Sequence, residues 1–158
     1  MEKEFPEFNH NNYQQEFLED WWSRKKLFKG TRQSGKTTLI LMETKRMIRS
    51  DMDCLVLVPT QSQIGTMKQT YQKIFGSIPL ADFASFSDLR DGYYTGSKFD
   101  AVLIDEGQHL SLDLLNREIF PMDFIFLRMT VPRENYGDAY LSDETVDSSE
   151  LFDSVYKV

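Results

Sequence analysis

From residue 13 onward the apolar positions alternate between a helical and a strand-like rhythm. Tyr13, Phe17, Leu18, Trp21 and Trp22 fall at i, i+4, i+5, i+8 and i+9, one face of an amphipathic helix over 13–23. A short run, Leu27-Phe28-Lys29, places a first strand at 26–29. The apolar-rich stretch from Lys36 through Leu39, Ile40, Leu41 and Met42 to Met47 and Ile48 predicts a helix to about Ser50. Cys54–Val58 is a continuous apolar run with β-branched residues, the pattern of a strand buried on both faces, and Pro59-Thr60 stops it. Ile64, Met67, Tyr71, Ile74 and Phe75 recur at helical spacing over 61–75. The stretch 76–98 suggests a short strand around Ala81–Ala84 and a helical turn at Ser87–Arg90. Phe99–Asp105 predicts a second buried strand ending in acid, Ser111 caps a helix to about Phe120, and Phe124–Thr130 predicts another strand. Strands alternating with helices imply βαβ units around a mostly parallel central sheet flanked by helices, an α/β fold.

Composition adds limits. At 158 residues the chain suits one domain with a proper core and is short for two. No apolar stretch approaches the roughly 20 residues of a membrane span, and Met1-Glu2-Lys3-Glu4 carries no secretory apolar region, so a cytoplasmic protein is expected. The single cysteine, Cys54, lies in an apolar run and reads as an inert buried thiol. The formal net charge of −7 argues against nucleic-acid binding by bulk charge. Yet the charge is uneven. Residues 24–49 hold Arg24, Lys25, Lys26, Lys29, Arg32, Lys36, Lys45, Arg46 and Arg49 against Glu43 alone, whereas 134–153 hold seven carboxylates and no Lys or Arg. The expected division is a nucleotide domain over 1–133 and an acidic tail over 134–158, whose Leu151, Phe152, Val155 and Tyr156 either dock as a final helix or bind a partner.

Chemistry enters at Gly30-Thr31-Arg32-Gln33-Ser34-Gly35-Lys36-Thr37-Thr38, a complete G-x-x-x-x-G-K-T phosphate loop between a strand and a helix. The glycines let the backbone turn its N–H groups toward a polyphosphate, and the helix N-terminus adds partial positive charge there. Lys36 can reach the β- and γ-phosphates, and the Thr37 hydroxyl can ligate Mg²⁺. The second element is Val102-Leu103-Ile104-Asp105-Glu106. In a parallel sheet ligands lie beyond the carboxyl ends of the strands, so loop and acidic pair should share one edge. Asp105 is placed to hold a Mg²⁺ water, and Glu106 to polarise a water attacking the γ-phosphate.

Tyr13-Gln14-x-Glu16-x-Leu18, the loop Thr31–Thr38, and Phe99-Asp100-x-Val102-x-Ile104-Asp105-Glu106 together resemble the ATPase domain of phage terminase large subunits, DNA-packaging motors related to helicases with RecA-like folds. Val56-Leu57-Val58-Pro59-Thr60 resembles the helicase segment after the second strand, and the likeness spans about residues 13–133. The resemblance implies a RecA-like P-loop ATPase that uses ATP and Mg²⁺ and serves DNA translocation or packaging. It implies that Gln14 reads adenine, that Arg32 acts near the γ-phosphate beside Lys36 and Glu106, and that Thr130 senses the γ-phosphate. Gln108 and His109 fit the helicase Asp-Glu-x-His/Gln pattern without marking a site.

Departures from the family pattern matter too. No nuclease domain follows, and no second lobe or arginine-finger segment is evident, so a lone lobe completed by a partner protein or by self-assembly is expected. DNA contacts would come from the basic half, through Lys68, Lys73, Arg46 and Arg49. A nucleotide-binding adaptor that does not translocate DNA is the alternative, supported by the acidic tail. A nucleoside kinase ranks third, because Asp105-Glu106 suits hydrolysis and no Arg-rich lid is seen. A single-lobe AAA-type ATPase ranks fourth.

Overall fold

The computed structural model describes residues 17–30, 35–132 and 151–157. Strands β1 (Lys25–Gly30), β2 (Cys54–Val58), β3 (Asp82–Ser85), β4 (Ala101–Ile104), β5 (Phe126–Pro132) and β6 (Ser154–Lys157) form one six-stranded sheet in the order β3-β2-β4-β5-β1-β6. Every pairing between these strands is parallel. The period of two along each strand divides the core. Leu55, Leu57, Val102, Ile104, Leu127 and Met129 point to one face, whereas Cys54, Val56, Val58, Ala101 and Leu103 point to the other. Both faces are covered, which is why the strands read as unbroken apolar runs.

Helices α1 (Lys36–Arg49) and α2 (Gln61–Phe75) cover one face through Ile40, Leu41, Met47, Met67 and Tyr71. On the other lie α3 (Phe86–Arg90), α4 (Leu112–Leu114) and the π turn Leu115–Ile119 that continues it, through Phe86, Leu89, Leu114, Leu115 and Ile119. The Ser111 hydroxyl accepts from the Leu114 N–H as the sequence predicts, but the helix widens into the π turn after one turn. β5 begins at Phe126, two residues later than the apolar run suggests, because the N–H groups of Ile125 and Phe126 both donate to the Asp100 carbonyl.

Two expectations are corrected. The helix over 13–23 is helical within the described residues only at 17–19. Arginines take the carbonyls that a continuing helix would use: Arg46 donates to Leu18, and Arg128 to Trp21, Ser23 and Arg24. The Asp20 carboxylate accepts from the Ser23 hydroxyl at 2.7 Å, closing a turn that leaves Trp21 and Trp22 exposed. At the other end, residues 154–157 are not a helix but strand β6, hydrogen-bonded to β1 in the register Leu27↔Val155 and Phe28↔Tyr156. Val and Tyr suit a strand, and Tyr156 packs edge-on against Phe17.

The described end of the acidic tail thus lies in the same sheet as the phosphate-loop strand.

A buried ionic cluster ties these parts together. Lys26 and Arg128 are register partners on β1 and β5, and Glu43 reaches down from α1 between them. All three are fully buried. Lys26 Nζ lies 2.6 Å from Glu43 Oε1 and donates to the Phe17 carbonyl at 2.5 Å, while Arg128 Nε lies 3.5 Å from the same carboxylate oxygen. Burial depresses the Lys26 pKa to about 8. Two residues of the sequence's basic cluster therefore serve the interior, since Arg46 also pairs with Glu43 at 3.7 Å. Cys54 is buried, and burial pushes its thiol up to about 12, consistent with an inert role.

Candidate functional site

Parallel pairing brings the carboxyl ends of β1, β4 and β5 to one edge, with Gly30 opposite Pro132 and Ile104 opposite Met129. Gly35 caps α1 in the left-handed region at φ 79, a conformation that favours glycine. The turn delivers Lys36 and Thr37 to the start of the helix. Lys36 Nζ donates to the Gly30 carbonyl at 3.0 Å, across the mouth of the loop. Burial lowers the Lys36 pKa, while Asp105 and Glu106 act in the opposite sense.

Asp105 follows β4 directly and is 4% exposed. Its Oδ2 accepts from the Thr37 hydroxyl at 2.8 Å, and its Oδ1 from the Thr130 hydroxyl at 2.7 Å. Burial raises its pKa, opposed by these two hydrogen bonds. The Thr130 hydroxyl also accepts from the Glu106 N–H at 3.3 Å. Glu106 itself sits in the left-handed region at φ 55, ψ 50, rare for a residue with a side chain. Its carboxylate accepts from Gln63 Nε2 at 2.8 Å. Gly107 then passes so close to β5 that an added Cβ would stand 2.5 Å from Met129 Sδ. The strained residue and the close-packed glycine force the chain away from the strand just where the two carboxylates diverge.

Sequence reasoning and structure meet unevenly here. Lys36, Thr37, Asp105 and Glu106 come to one edge, as expected. Gln14, Thr31, Arg32, Gln33 and Ser34 lie outside the described residues. Thr130, assigned by resemblance to phosphate sensing, bonds to Asp105 and Glu106. Gln108 and His109 lie in a 3₁₀ turn, with His109 exposed. Gln63 was missed; its signal was Thr60-x-x-Gln63 at the start of α2, a capping box. The donor set fits Mg²⁺. Asp105 supplies a buried carboxylate held short of full compensation, and Thr37, donating its proton to Asp105, keeps oxygen lone pairs for a hard cation. Among the described residues no group of three or more His, Cys, Asp or Glu is gathered for a metal.

The all-parallel sheet with helices on both faces has a RecA-type NTPase fold of the helicase-like kind. The chain belongs to the thymidine kinase family, whose model, Thymidine kinase, matches residues 24–120. That span holds the phosphate loop, Asp105 and Glu106. Among solved structures the chain is similar to the UvsW helicase from bacteriophage T4 at 13% identity and a TM-score of 0.71, covering 99% of this chain and 64% of that one. It is similar to the large terminase ATPase domain of Thermus phage P74-26 at 13% identity and a TM-score of 0.65, covering 96% of this chain and 82% of that one. A third likeness is to the Sulfolobus solfataricus SWI2/SNF2 ATPase core in complex with dsDNA, at 14% identity and a TM-score of 0.66, covering 90% of this chain and 36% of that one. The chain thus spans about a third of the Sulfolobus protein and under two thirds of the helicase. At these identities the likeness is one of fold. No curated protein matches. No helix among the described residues is long and apolar enough to cross a membrane.

Proposed function

We propose that this chain binds ATP with Mg²⁺ at residues 30–38 and hydrolyses it, as a single-lobe terminase- or helicase-like ATPase serving DNA translocation or packaging. The observation that carries this reading is the chain of contacts Thr37–Asp105–Thr130–Glu106 beside Lys36. It brings the Glu106 and Asp105 carboxylates, the Thr37 hydroxyl and Lys36 to one sheet edge, which supports reading them as a base, a cation-binding pair and a phosphate-binding lysine. Thr37 and Asp105 would hold Mg²⁺, which when bound offsets negative charge on the phosphates. Lys36 would leave the Gly30 carbonyl for the β- and γ-phosphate oxygens. Glu106 would orient a water in line with the γ-phosphate and accept its proton. Arg32 would stabilise charge developing on the transferring phosphoryl group, and Gln14 would select adenine.

Completion of the site by a partner or by self-assembly is part of this reading, with turnover rising with protein concentration. DNA contact rests on fewer cations than the sequence suggests. Arg46 is engaged with Glu43 and Leu18, and the Lys68 ammonium lies 5.4 Å over the Phe83 ring.

A second reading is favoured by the family match over 24–120: a nucleoside hydroxyl takes the place of water. The same Glu106 carboxylate would accept the hydroxyl proton, so the site geometry serves either acceptor. This raises the kinase above the third rank it holds on sequence grounds. The deciding experiment incubates the protein with ATP and Mg²⁺ alone, with single- or double-stranded DNA, and with thymidine. Phosphate release stimulated by DNA supports the motor reading. Thymidine monophosphate as product supports the kinase. Neither product at any protein concentration overturns both.

A further inference from the structure

Gln63 is half-buried at the first turn of α2, and both ends of its amide are engaged. Its Oε1 accepts from the Thr60 backbone N–H at 3.0 Å and from the Thr60 hydroxyl at 2.9 Å. A backbone N–H can only donate, so this contact fixes which end of the amide is oxygen. Nε2 is thereby turned outward, and it donates to Glu106 Oε2 at 2.8 Å. From the outward-turned amide held 2.8 Å from Glu106, we infer that Gln63 is a positioning residue for the Glu106 carboxylate, holding one oxygen so that the other faces the reacting phosphate.

Three points support it. Glu106 has a left-handed backbone, so its side chain leaves the strand end in an unusual direction and needs an external tether. Thr130 fixes the Glu106 main chain but does not reach the carboxylate in this arrangement, leaving orientation of the side chain to Gln63. The amide is itself immobilised by the cap of α2, so it arrives preorganised. A donor on one carboxylate oxygen also leaves the other oxygen's lone pairs for a proton. Among the described residues, charged neighbours of Glu106 are Asp105, from the same strand end, and Lys36, from α1. Neither is placed by the structure to orient the carboxylate as the amide does.

This inference rests on the reading of Glu106 as the base, and the test separates the two. Gln63→Glu keeps an acceptor for the Thr60 N–H, and so keeps the cap, but replaces the donor facing Glu106 with a like charge. The expected result is an unchanged melting temperature and an unchanged KM for ATP. The kcat should fall by up to about 100-fold. Gln63→Leu should lower both kcat and melting temperature, since it loses the cap as well. Independently of turnover, the Gln63 side-chain amide proton resonances, assigned against Gln63→Leu, should lie downfield in the unaltered protein and move upfield in Glu106→Gln, which removes the charge from the acceptor. Amide resonances that do not move, or an unmoved kcat, overturn the inference. Full turnover by Glu106→Gln instead overturns the base assignment, whatever the NMR shows of the contact.

Discussion

Thr130 on β5 donates a 2.7 Å hydrogen bond to Asp105 at the end of β4, and the same hydroxyl receives the Glu106 N–H. One side chain therefore fixes both acids of the site. Thr130→Val keeps the shape and removes both contacts. Leaving a buried acceptor unsatisfied costs roughly 1–3 kcal/mol. Urea unfolding should show a loss of that size, and turnover should fall with it. Thr130→Ser should restore most of both, because the hydroxyl is what matters.

Asp105→Asn should trade function for stability. Burial raises the Asp105 pKa in the folded state, so the native-state advantage of its protonated form is full below the unfolded value and is lost as pH rises through the folded one. Near neutrality the folded protein carries the cost of a buried charge that asparagine lacks. Thermal melts at about pH 4 and about pH 8 should show the variant gaining on the unaltered protein as pH rises. Nucleotide binding by the variant should lose its dependence on Mg²⁺.

Lys36→Ala should weaken ATP. A hydrogen bond to a charged group contributes about 1.5–3 kcal/mol, which is about 10- to 100-fold in affinity. Titration calorimetry with a non-hydrolysable ATP analogue measures it. Undiminished affinity would place the nucleotide elsewhere.

The buried cluster makes a separate prediction. Glu43→Ala leaves Lys26 and Arg128 side by side without their carboxylate, and breaking a buried pair in this way costs on the order of 3–5 kcal/mol. The Lys26 pKa is depressed by burial from 10.5 to about 8. Between these values the unfolded chain holds a proton that the folded one has shed, so stability rises with pH across that window. The contribution is full above the unfolded value and is lost as pH falls through the folded one. Urea midpoints followed across the window should rise, and Lys26→Met should flatten the rise.

The strands that carry the site were legible because both faces of the sheet are covered. Cys54–Val58 had to be apolar throughout, and Asp105 stood out as the first charge after such a run. The end of β1 at Gly30 and the start of α1 at Lys36 were legible because the glycines and lysine between them have few other uses at that spacing. What escaped depended on partners distant in sequence. The helix over 13–23 gives way because Arg128 and Arg46, over a hundred and nearly thirty positions away, take its carbonyls. Lys26 looked like a surface cation because nothing local announces that Glu43 lies above it. Gln63 carried a local signal, the capping box, but its other contact crosses 43 positions to Glu106.

Strand β6 has a consequence for any shortened form of this protein. A version cut at residue 133, where composition suggests a boundary, would strip β6 from β1 and leave the N–H and C=O groups on that edge of β1 without partners, while β5 still pairs the other edge. Leu27 and Phe28, now fully buried, lie on that strand. Such a bare rim is a template for pairing with other copies. The trimmed protein should be more prone to form soluble aggregates or fibres than the whole chain, and light scattering would show it. What reads as a disposable acidic tail carries a strand that covers the six-residue edge of β1 and leaves a shorter, four-residue rim in its place.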